Sequence, residues 1–173
     1  MKNLKSMSTD EILKSYEFPH KFYVYYASQI AKNAMEKYVK SKDRDERSLK
    51  AIDIAERFGN GEDISQKVLE DTVSSSCTAA HAAHYGNAAN SAAHVAAANA
   101  AYAAANAAHA AANAANAAPH YAAASAAAHY AAAHYADNAR KEAETYNKEL
   151  LLSLIETRLT KLEKLLILGE GKE

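Results

Sequence analysis

The chain has 173 residues, a formal net charge of -1 from 20 Lys and Arg against 21 Asp and Glu, and a single cysteine. That length suits one domain, for which roughly 100–200 residues is usual. The near-neutral balance excludes a general electrostatic pull toward nucleic acid or an anionic membrane, and the lone Cys77 excludes an internal disulfide.

In chain order, "MKNLKSMSTDEILKSYEF" lacks the apolar run of a secretory signal peptide. No stretch of about 20 strongly apolar residues follows it, so a soluble, cytoplasmic protein without a membrane span is expected. Ser8 with Glu11 three residues on has the capping-box form, which starts a short helix that Pro19 must end. From Lys21 to about Lys40, Phe22, Tyr26, Ile30, Ala34 and Tyr38 recur every four residues as one apolar helix face. "SKDRDER" is a polar connection. Leu49, Ile52, Ala55 and Phe58 mark the next helix, which "GNG" at Gly59 to Gly61 stops. Asp63 or Ser65 caps the helix after it, with Ile64, Val68, Thr72 and Cys77 toward one side. Breaks are expected at "YGN", Tyr85 to Asn87, and at Pro119.

Charge is distributed very unevenly. Asp71 and Asp137 bracket 65 residues without an Asp, Glu, Lys or Arg, and 36 of the 61 residues from Ala79 to Ala139 are alanine. One domain in three compositional parts results: charged N-terminal helices over 1–71, an alanine-rich helical core over 72–139, and a charged Leu-rich helix over 140–173. Alanine is the best helix former and a poor strand former. The expected fold is all-α, a compact multi-helix bundle with alanine-rich central helices.

Within the core, Asn99, Tyr102, Asn106, His109, Asn113, Asn116 and His120 follow 3-4 spacing, and every other residue between Asn99 and Pro119 is alanine. Such spacing draws one narrow stripe along a helix. Burying the stripe would demand a fully paired hydrogen-bond network, so it is expected to face water while the alanines face neighbouring helices. Alanine lets helices approach closely but buries little apolar area. Phe22, Ile30, Ile52, Phe58, Val68, the tyrosines and the C-terminal leucines must therefore anchor the fold. In the tail, Leu152, Ile155, Leu159, Leu162 and Leu166 repeat the 3-4 spacing. They are expected to pack on the N-terminal helices, with a homo-oligomeric seam as the alternative.

No catalytic constellation and no cofactor site is expected. Cys77, His81 and His84 stand at i, i+4 and i+7, so a helix can turn all three one way, but a closed zinc site needs a fourth ligand and none is evident. A Cys77–His81 nucleophile pair lacks an orienting carboxylate and oxyanion donors. No Gly-rich phosphate loop is present, and the tyrosines have no basic groove to accompany base stacking.

"KAIDIAERFGNGEDI", Lys50 to Ile64, followed by "AAHAAH", "NAAYAAANAAHAAANAA" and "AAAHYAAAHYADNARKEAETYNKELLLSLIETRL", resembles the alanine-rich immunity proteins of bacterial polymorphic toxin systems, over roughly Glu36 to Leu159. The resemblance implies a short helix with a Gly-containing turn, then alanine helices, then a charged Leu-containing helix. It further implies a non-catalytic protein that binds and neutralises a toxin. No binding residue is carried over from it. A structural or assembly protein of phage or mobile-element origin is the alternative function.

Overall fold

The computed structural model describes residues 4–85, 92–112, 137–160 and 163. Six α-helices form among these residues: α1 (Thr9–Ser15), α2 (His20–Tyr38), α3 (Glu46–Gly59), α4 (Gln66–Tyr85), α5 (Ala92–Ala112) and α6 (Asp137–Arg158). No strand occurs among the described residues, and the fold is an all-α bundle.

Local chemistry explains most of the helix ends. Ser8 caps α1 reciprocally: the Glu11 amide donates to Ser8 Oγ at 3.2 Å and the Ser8 amide donates to Glu11 Oε2 at 2.6 Å. These bonds hold the Glu11 carboxyl below its ordinary range. Pro19 is the N-cap of α2, where a missing amide proton loses nothing. Asp45 caps α3 by accepting from the Arg47 amide at 2.8 Å, and the Arg47 side chain further lowers its pKa. At the end of α3, the Gly61 amide donates to Phe58 O and the Glu62 amide to Arg57 O, the two bonds of a Schellman motif. Gly61 has φ +96, the left-handed conformation that glycine accommodates without strain. Ser65 then caps α4 through the Val68 amide.

The other glycine of the stop acts by proximity. A Cβ on Gly59 would stand 2.8 Å from the Cα and Cβ of Tyr25, so α2 and α3 meet there backbone to backbone. Arg158, the last residue of α6, closes the same corner. Its guanidinium carbon lies 3.3 Å from the centroid of the Tyr25 ring, Nη1 donates to Gly59 O, and Nη2 donates to Asn60 Oδ1. A cation at the C-terminal end of α3 also meets the negative end of that helix dipole.

Two helices occupy the middle. α5 packs against α2, α3 and α4, while α6 lies across α2 and α1. On α2 the expected face is buried at Phe22, Tyr26, Ile30 and Ala34; the Tyr38 side chain lies outside the described residues. The burial is broader than one face, however, and also takes in Tyr23, Val24, Ala27, Ser28, Ala31 and Met35. Tyrosines can enter this core because their hydroxyls find partners. Tyr23 Oη donates to Tyr16 O and accepts from the Phe18 amide, and Tyr26 Oη donates to Asn147 O at 3.1 Å. Burial raises the Tyr26 pKa far above its usual value.

One expected anchor requires correction: Val68 is 38% exposed, and Leu49, which only marked its helix, is 40% exposed. On α3 the inward set is Ser48, Ala51, Ile52, Ile54, Ala55 and Phe58, which rotates Leu49 outward. On α4 the buried line is Leu69, Thr72, Ser76, Ala79 and Ala83, again at 3-4 spacing, and Val68 falls beside it. Thr72 Oγ1 donates to Val68 O and Ser76 Oγ to Val73 O, so both hydroxyls are satisfied within their own helix. The compositional seams at 71/72 and 139/140 fall inside α4 and α6. α4 is described as far as Tyr85, and Gly86 and Asn87 of the expected break lie outside the described residues, as does Pro119.

Candidate functional site

The alanine stretch resolves into an inside and an outside. On α5, Ala98, Ala100, Ala101, Ala103, Ala104, Ala105 and Ala108 are all buried, at 4% exposure or less. Asn99, Tyr102, Asn106 and His109 are only half-buried. The described half of the stripe therefore runs along the outer side of a helix that α2, α3 and α4 otherwise enclose, as its spacing predicts. Asn113, Asn116 and His120 lie outside the described residues, as does the side chain of Ala107.

Neighbours on α4 hold two members of the line. The Tyr102 ring packs on Ala80, Ala83 and Ala98, with small side chains on both helices giving it room. Gln66 Nε2 stands 3.0 Å from His109 Nε2 and donates to Glu70 Oε1 at 3.1 Å. The Gln66 carboxamide thus bridges the His109 ring and the Glu70 carboxylate. Glu70 Oε1 is 3.9 Å from the same ring nitrogen. Gln66 and Glu70 were not legible as supports for His109, because 43 residues separate Gln66 from it.

Chemically, the line offers carboxamides that donate and accept, a phenol and an imidazole. These groups recognise hydrogen-bonding surfaces and apolar edges. No general base is paired with a nucleophile among these four side chains.

The metal candidates are only partly placed. Cys77 is a free, half-buried thiol on α4. His81 and His84 belong to the same helix, but their side chains lie outside the described residues. Among the described residues, no three His, Cys, Asp or Glu side chains are grouped to hold a metal ion.

The tail leucines divide. Ile155 and Leu159 are buried in the chain's own core at 0% and 6% exposure, and Leu152 packs partly against it. Leu162 and Leu166 lie outside the described residues. Nor does one straight helix carry the seam. α6 ends at Arg158, and Thr160 starts a new capping box, its Oγ1 accepting from the Glu163 amide while its own amide donates to Glu163 Oε2. The described members thus join the chain's own core cluster.

No protein-family model, no curated protein and no solved structure matches this chain. Among the described residues, no helix is long and apolar enough to cross a membrane.

Proposed function

We propose that this chain is a non-catalytic binding protein that neutralises a cognate toxin by direct contact. The carrying observation is the half-exposed line Asn99, Tyr102, Asn106 and His109 on a helix whose alanine faces are fixed by three neighbours. A helix held this way presents its outer side chains with little backbone freedom to lose, which favours recognition by shape and hydrogen bonding. Tyrosine on such a line supplies large contact area at low entropic cost. The order of elements supports the immunity-type reading, since a short helix with a glycine turn (α3) precedes α4 and α5 and the charged Leu-containing α6 follows.

The test is to search the genes beside this one for a toxin and to co-produce the full chain with any that is found. Cell survival, and a stoichiometric complex seen by size-exclusion chromatography with light scattering, are the expected results. Asn106→Arg places a cation on the line and is expected to weaken the complex at least tenfold while leaving the melting curve unchanged. Undiminished killing in the presence of the folded wild-type chain would overturn the function. Full-strength binding by the folded Asn106→Arg variant would remove the α5 line as the contact surface.

A further inference from the structure

We draw no further inference here: the strongest candidate, the uncharged outer face of α5 formed by Asn99, Tyr102 and Asn106, belongs to the site already described, and nothing in the structure shows what covers it beyond that reading.

Discussion

α2 and α5 are both central helices, yet they are buried by opposite means. α2 fills its surroundings with Phe22, Tyr26, Ile30 and Met35, whereas the described inner faces of α5 are alanine throughout. Large side chains remove much apolar area from water, about 25 cal/mol per Å². Alanine removes little, but it sacrifices no rotamer entropy and lets the two helices lie close. The pair works because each supplies what the other lacks: α2 brings volume, and α5 brings a smooth surface against which that volume packs. Sensitivity to substitution should therefore run in opposite directions on the two helices.

The largest expected effect is a truncation on α2. Ile30→Ala, at a site 1% exposed, should cost about 2–5 kcal/mol in urea denaturation. A cost below about 1 kcal/mol would mean that α5 collapses into the gap, which would undo the contrast. Next comes an enlargement on α5. Ala104→Leu, at a site fully enclosed, should cost about 1–3 kcal/mol by overpacking. Leucine is itself a good helix former, so the loss must come from packing.

Gly59→Ala sharpens the comparison at the one point where α2 also tolerates only a bare backbone neighbour. Alanine gains up to about 1 kcal/mol of helix propensity, but its methyl would meet Tyr25 at 2.8 Å. A net loss of about 1–2 kcal/mol is expected, within the usual range for overpacking; a gain would show that α2 and α3 separate easily. The smallest effect belongs to the outer line. Asn106→Ala should be neutral or stabilising by up to about 0.7 kcal/mol, from propensity alone. If thermal melts show it to be more damaging than Ala104→Leu, the assignment of inside and outside on α5 is reversed.

The parts of this fold that were legible in the sequence are those governed by local chemistry. Ser8 with Glu11, Pro19, Ser65 and Gly61 act through neighbours within a few residues, so their spacing reveals them. The α5 stripe was legible for a different reason: among so many alanines, each exception marks an angular position. On α4 the spacing of Ile64, Val68 and Thr72 marks the right side at Thr72 but not at Val68, and it does not reveal Ser76. Thr72 and Ser76 face inward because their hydroxyls bond their own helix carbonyls and leave mainly methyl and methylene surface to the core. The wide burial of α2 was hidden as well, since nothing local to Tyr26 announces that Asn147 O will receive its hydroxyl proton. His109 was legible as a member of the line, and its contacts with Gln66 and Glu70 were not, because only the antiparallel return of α5 along α4 creates them.

The hydrogen bond from Tyr26 to Asn147 spans 121 positions, and α6 is the last of the described helices to leave the ribosome. At roughly 5–20 residues per second, Asn147 is synthesised about 6–24 s after Tyr26. Throughout that interval the flank of α2 that will meet α6 at Asn147 lacks that cover, however early α3, α4 and α5 assemble. The nascent bundle thus passes through a sticky stage whose length is set by translation speed, and slow codons between α5 and α6 would prolong its exposure to chaperones and to aggregation.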